Sequence, residues 1–296
     1  MLLHAFEGGR GGGAAALVLL AMSLSGRVSA QGRATEPPSA GDESDEAEAE
    51  GSRGRFEWAP FPALGGNTDI GFLFGVNGAV ARIEEGYEPF RYRVQVIATA
   101  SVKDGPDGVQ FPAHHYEVGL DMPGLAGGRL RIMPLLAFER VVNAGYFGLS
   151  GLSSPDPRGA LDLGEGEVDR RYQFLWQGPR ATMDFRVAFD GVPVELLVGA
   201  QYRYMLPEVY RGSLLEEDRY RLDAEGAPVL VGMADHGLAE ARVGMLWDRR
   251  DHEIVPTTGT FVELSLRGGV GVPEEEVFGF GGFTADMRLF VPILPR

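Results

Sequence analysis

From position 56 onward, apolar and polar residues alternate with a period of two, as they do in strands whose successive side chains face opposite sides. Along residues 90–103, Phe90, Tyr92, Val94, Val96, Ala98, Ala100 and Val102 fall on one side. Arg91, Arg93, Gln95, Thr99, Ser101 and Lys103 fall on the other, with Ile97 the apolar exception. The same split sets Val194, Leu196, Val198, Ala200, Tyr202 and Tyr204 against Glu195, Gln201 and Arg203, and Val243, Met245 and Trp247 against Arg242 and Asp248. No segment carries a sustained 3.6-residue stripe, so helices are not expected to dominate. The pattern predicts about ten strands: 61–66, 70–82, 91–103, 110–122, 129–140, 172–189, 193–204, 238–248, 260–269 and 278–291. Two irregularities stand out. Pro134 interrupts the fifth strand, and Gly178-Pro179 inverts the alternation between Trp176 and Phe185, which predicts a bulge there.

Strand length decides between two all-β classes. Strands in soluble sandwiches average about 5 to 6 residues, whereas alternating runs of about 9 to 13 match a tilted strand crossing a bilayer. Aromatics near the proposed strand ends, including Phe90, Tyr92, Trp176, Tyr204 and Trp247, fit an interfacial girdle. The expected fold is therefore an all-β transmembrane antiparallel β-barrel, with a soluble sandwich as the alternative. The long connections, 141–171 and 206–237, fall at one end of such a barrel. The brief ones, 124–128 and Asp190-Gly191, fall at the other, which in outer-membrane barrels is the periplasmic end.

Composition agrees with a glycine-rich β protein: 43 glycines in 296 residues, no cysteine, and Lys103 as the single lysine. A net charge of -15 disfavours nucleic-acid binding. At the amino end, Arg10 precedes an apolar run, and Val28-Ser29-Ala30 offers small residues for cleavage before Gln31, so residues 1–30 are expected to be a signal peptide. The run is about half the roughly 20 residues a spanning helix needs, which favours a leader over an anchor. Residues 31–55 lack large apolar side chains and hold the acidic stretch GDESDEAEAE; they are expected to form a disordered linker before a barrel domain at 56–296.

The stretch at 247–259, WDRRDHEIVPTTG, lies between two alternating runs and must reverse the chain between antiparallel strands. Asp248, Arg249, Arg250 and Asp251 are four consecutive charges, and Pro256 and Gly259 add a fixed φ and a residue free to adopt φ > 0. WDRRDHEIVPTTGTFVELS resembles the aspartate, arginine-aspartate, proline, glycine turn of the BamA/TamA outer-membrane assembly superfamily, also called the bacterial surface antigen family. FPALGGNTDIGFLFG, NAGYFGLSG and FTADMRLFVPI resemble further pieces of that family, in its order. The likeness covers residues 56–296. It implies a barrel, normally of sixteen strands, that inserts other barrel proteins or moves polypeptides across the membrane, with Asp248, Arg249, Asp251, Pro256 and Gly259 as the motif residues. Three family features are missing: periplasmic transport-associated repeats, a later arginine-glycine-aromatic loop, and the closing strands. The expectation is a fragment of a larger barrel.

Signatures of catalysis are few. Gly148-Leu149-Ser150-Gly151 lacks G-x-S-x-G spacing, and Asp104 follows Lys103, so there is no phosphate-binding G-K-[ST]. No enzyme activity, cofactor or metal is expected. His114 and His115 are adjacent and in a strand face opposite sides. His252 with Asp248 and Asp251 offers donors for a cation, but a turn braced by ion pairs is the favoured reading. The charges expected to face the lumen are Arg91, Arg93, Glu117, Asp121, Arg186, Glu195, Arg242, Glu263 and Arg288, either lining a water path or pairing across the wall. The expected partners are outer-membrane lipid and unfolded outer-membrane proteins or other polypeptides. A passive pore or structural surface protein, and a soluble secreted sandwich binding ligands through 141–171, are the other readings.

Overall fold

The computed structural model describes residues 54–105, 108–149, 170–273 and 277–292. The expected leader, residues 31–53 of the expected linker, and residues 150–169 of the long connection lie outside the described residues. The described chain is all-β, an eleven-stranded antiparallel sheet with two short helical turns. Its strands are β1 (Arg55–Asn67), β2 (Gly71–Ile83), β3 (Tyr92–Gly105), β4 (Gly108–Gln110), β5 (His114–Gly124) and β6 (Leu130–Gly145). The remainder are β7 (Gln173–Ala188), β8 (Val194–Glu208), β9 (His236–Asp248), β10 (Gly259–Pro273) and β11 (Phe278–Phe290).

Neighbours in sequence pair in space, except that β4 forms a short hairpin on β3 and lets β5 take the next place in the order. Residues 110–122, expected as one strand, are thus two pieces broken around Pro112, where Ser101 Oγ accepts the Ala113 N–H at 2.9 Å. β1 reaches back to Arg55, one residue into the expected linker, despite Pro60 and Pro62. It is an edge strand, where half the backbone N–H groups have no ladder partner to lose. Pro134 does not end β6. The β5 ladder lapses beside it, and Gly119↔Leu135 and Met122↔Ile132 keep one register across the gap.

No bulge forms at Gly178-Pro179. The β6–β7 register runs through Phe138↔Pro179 and Glu139↔Gly178, and the one shift on that ladder lies between Val141 and Ala144. Trp176 instead sits on the polar face, with the Arg203 guanidinium over its ring at 5.2 Å, so the sequence polarity changes while the backbone does not. Gly178 is required there: at φ 152° its position would bring a Cβ to 1.8 Å from the Tyr204 carbonyl oxygen.

The sheet is curled with its polar face inside. Asp69, in the β1–β2 turn, accepts a hydrogen bond from Gln173 of β7 at 3.1 Å, although a flat sheet at about 4.8 Å per strand would hold β2 and β7 about 19 Å apart. The edge strands β1 and β11 are not paired with each other. Burial is inverted relative to a soluble protein. On the convex face Leu64 is 66% exposed, Val243 51%, Leu266 59% and Met287 78%, whereas Ser101, Asp121 and Ser265 on the concave face are 0%, 8% and 6% exposed. Among the described residues no second sheet covers the apolar face. Among the described residues no helix is long and apolar enough to cross a membrane.

The connections divide as the sequence implied. Residues 84–91, 125–128, 189–193 and 249–258 lie at one end of the sheet. At the other end, 209–235 folds over the strand ends. Its helical turn Leu214–Asp218 is capped by Ser213 Oγ, which accepts the Glu216 N–H at 3.1 Å, and Leu214 and Leu215 are buried. Tyr210 donates its hydroxyl to the Val142 carbonyl at 2.8 Å, and burial pushes that phenol's pKa above its usual value.

Candidate functional site

The concave face is a lattice of ion pairs made possible by alternation: each charged residue shares its strand's inner row with the next. Arg131 of β6 grips Asp121 of β5 with two hydrogen bonds, 2.7 and 2.6 Å, and donates a third to Glu253 at 2.6 Å. Arg186 of β7 meets Glu195 of β8 at 2.5 Å and Glu253 at 3.7 Å. Arg180 lies between Glu117 and Glu139 at 3.4 and 3.2 Å, and His115 faces the same two carboxylates at 3.5 and 3.4 Å. Arg242 of β9 reaches over β8 to Asp184 of β7 at 3.0 and 2.6 Å. Between these groups lies a cavity of about 380 Å³ lined by residues of β3, β5, β6, β7, β8 and β9, among them Arg93, Glu117, Arg180, Asp184, Glu240 and Arg242.

Of the nine charges expected on this face, Arg93, Glu117, Asp121, Arg186, Glu195, Arg242, Glu263 and Arg288 belong to the inner rows. Arg93 approaches Asp121 at 3.7 Å and lies over the Phe90 ring. Glu263 accepts from Ser265 Oγ at 3.2 Å, and Arg288 pairs with Asp286 two residues before it. Arg91 is the exception. It precedes β3 in the 84–91 connection and pairs with Glu84 at 2.9 and 3.0 Å, which raises the guanidinium pKa and lowers the carboxyl's. Sequence reasoning missed Arg131, Arg180, Asp184, Glu139 and Glu253. Arg180 and Asp184 followed the expected bulge, which hid their parity, and Glu253 sits in a turn where period two says nothing.

The 249–258 turn folds back over this face. Asp248 accepts two bonds from the Arg250 guanidinium, at 2.9 and 2.5 Å, and one from its backbone N–H at 3.1 Å, and Arg250 also donates to the Glu253 carbonyl at 3.0 Å. Arg249, the motif arginine, instead lies beside the Trp247 ring at 5.4 Å. The Asp251 carboxylate accepts the Thr257 hydroxyl at 2.5 Å and the Thr257 and Thr258 N–H groups at 2.8 and 3.0 Å. Those bonds, the Thr257 hydroxyl first, hold its pKa far below the ordinary carboxylate range. Pro256 is half-buried within the turn. Gly259 has φ 114°, and a Cβ there would lie 2.1 Å from the Arg249 carbonyl oxygen, so the motif glycine is fixed by close backbone approach as well as by φ. His252 Nδ1 accepts the Ile254 and Val255 N–H groups at 3.1 and 3.0 Å; it braces the turn and does not converge with Asp248 and Asp251 on one point. His114 stacks on Tyr116 and Phe138 on the convex face while His115 faces inward.

No family model, curated protein or solved structure matches the chain. The class of the protein therefore rests on its architecture: a large antiparallel sheet, apolar outside and ion-paired inside.

Proposed function

We propose that the chain spans a bacterial outer membrane as part of a transmembrane β-barrel, and that it serves outer-membrane protein assembly or polypeptide translocation without catalysing a reaction. The inverted burial carries the membrane half of this reading. Water does not favour a convex face of Val, Leu, Phe and Met around a charged concave face, but lipid outside and water inside do. Support for the assembly half comes from the turn, whose Asp248, Asp251 and Gly259 each make a specific bond or close approach at the positions the BamA/TamA resemblance singles out. On this reading the short-turn end faces the periplasm, and the partners are lipid and unfolded polypeptides. Fractionation of cells expressing the full chain tests the first half: the protein is expected in the outer membrane, resistant to extraction by urea, and recovery in the soluble periplasm would overturn the reading. The second half is tested by whether proteoliposomes carrying the chain speed the insertion of an unfolded outer-membrane protein.

A passive pore is the second reading, favoured by the polar cavity of about 380 Å³ on the inner face. Stable conductance in planar bilayers together with no effect on insertion would select it.

A further inference from the structure

The Arg203 side chain on β8 makes no hydrogen bond or ion pair to any described residue, and its Nε is buried without an acceptor. Register sets it directly opposite Arg180 of β7, and like charges in opposed positions of antiparallel strands repel. Arg180 is turned toward Glu117 and Glu139 through Nη2, and its own Nε is likewise buried and without an acceptor. The Trp176 ring, 5.2 Å from the Arg203 guanidinium carbon, covers one side of that group. Cation–π contact uses the flat side of a guanidinium and leaves its N–H edge unmatched, and that edge is the part which holds an oxyanion with paired bonds. The inner-face cavity reaches Arg180 and Gln201, the neighbours of Arg203 across the ladder and along the inner row of β8.

We propose that Arg203 and Arg180, backed by Trp176, form an oxyanion-binding site on the concave face, taking a carboxylate or a tetrahedral sulfate or phosphate group. An anion between the two guanidiniums removes the like-charge opposition and meets the Nη edge of Arg203, which has no partner among the described residues. The site is defined by groups on one face of the sheet and does not depend on the membrane reading.

The full chain, folded in detergent micelles and carrying Trp58→Phe and Trp247→Phe, leaves Trp176 as the one tryptophan of three. Its emission is titrated with sodium sulfate and with sodium acetate, each against sodium chloride at matched ionic strength. A saturable change beyond chloride is expected, and the salt that produces it tells the tetrahedral from the planar ligand. Arg203→Gln is expected to weaken binding at least about tenfold, as loss of a charge-assisted pair does, and Arg203→Lys to fall between. Glu240→Gln, which removes the carboxylate registered opposite Gln201, is expected to tighten it. Identical curves in all three salts, or an Arg203→Gln curve that overlays its parent, overturn the site. Should Arg203→Gln lose its far-ultraviolet β signal, unchanged affinity in both the Lys and the Glu240 variants does the same.

Discussion

Gly199 shows how one residue sets the spacing of the inner face. It registers with Asp184 on one side and Arg242 on the other, and the ion pair between those two passes over the place where its side chain would be. A Cβ at Gly199 would fall 2.1 Å from Asp184 Oδ1 and 2.9 Å from Arg242 Cγ. The backbone needs no glycine there, so the constraint is the room for the pair. Gly199→Ala is therefore expected to displace the pair and destabilise the fold by about 1–3 kcal/mol, the usual range for overpacking. Gly281→Ala, whose Cβ would meet nothing nearer than 3.9 Å, is expected to be close to neutral. Denaturant unfolding of both in micelles checks the contrast, and equal losses would mean that glycine content rather than the pair matters. Nothing in the sequence marks Gly199 in this way. Alternation places Arg242 on an inner row, but the expected bulge hid the parity of Asp184, and a pair that skips a strand appears only once the register is known.

The 249–258 turn is the element most legible in the sequence, and only in outline. Its reversal, its ion pairing and the need for Gly259 all follow from residue types. Which arginine pairs with Asp248 does not: neighbouring residues of a turn have no fixed parity, and Arg250, not Arg249, makes the bond. Nor does the reach of Glu253 to Arg131 and Arg186 of β6 and β7, which follows from the curl of the sheet. Asp251 gives the turn a pH dependence. Its folded pKa is depressed by the Thr257 hydroxyl and the Thr257 and Thr258 N–H groups, so its contribution is fully present above the unfolded value of about 3.9. That contribution is lost as pH falls through the lower folded value. Asp251→Asn is accordingly expected to open the turn to proteolysis at neutral pH. The difference from the parent should narrow as pH drops below about 4, measured with an acid-active protease at the low end. A gap that widens on acidification would show that the carboxylate is not what closes the turn.

At the scale of the whole molecule, alternation foretold long antiparallel strands with one apolar face. Period two by itself is symmetric between the faces; strand length is what turned the charges toward a lumen in the sequence reading, and the register and side-chain contacts place them on the concave face. The charges went inside, and that choice has a direct test at Val243. This residue lies near the middle of β9 on the convex face, registered between Val198 and Leu266, and is 51% exposed. If the convex face meets water, Val243→Arg is an ordinary surface change, within about 0.5 kcal/mol of neutral. If it meets the bilayer midplane, the same arginine costs about 2–4 kcal/mol, because the guanidinium must leave water for hydrocarbon. The expected outcome is the larger loss in liposomes, read from denaturant unfolding of the reconstituted protein. The concave-face change Thr284→Arg, on the inner row of β11 opposite Ser265, is the comparison, since that row is wet on the same reading and tolerates charge. Loss at position 243 with tolerance at 284 orients the sheet in lipid, and the reverse would place the apolar face against protein or water.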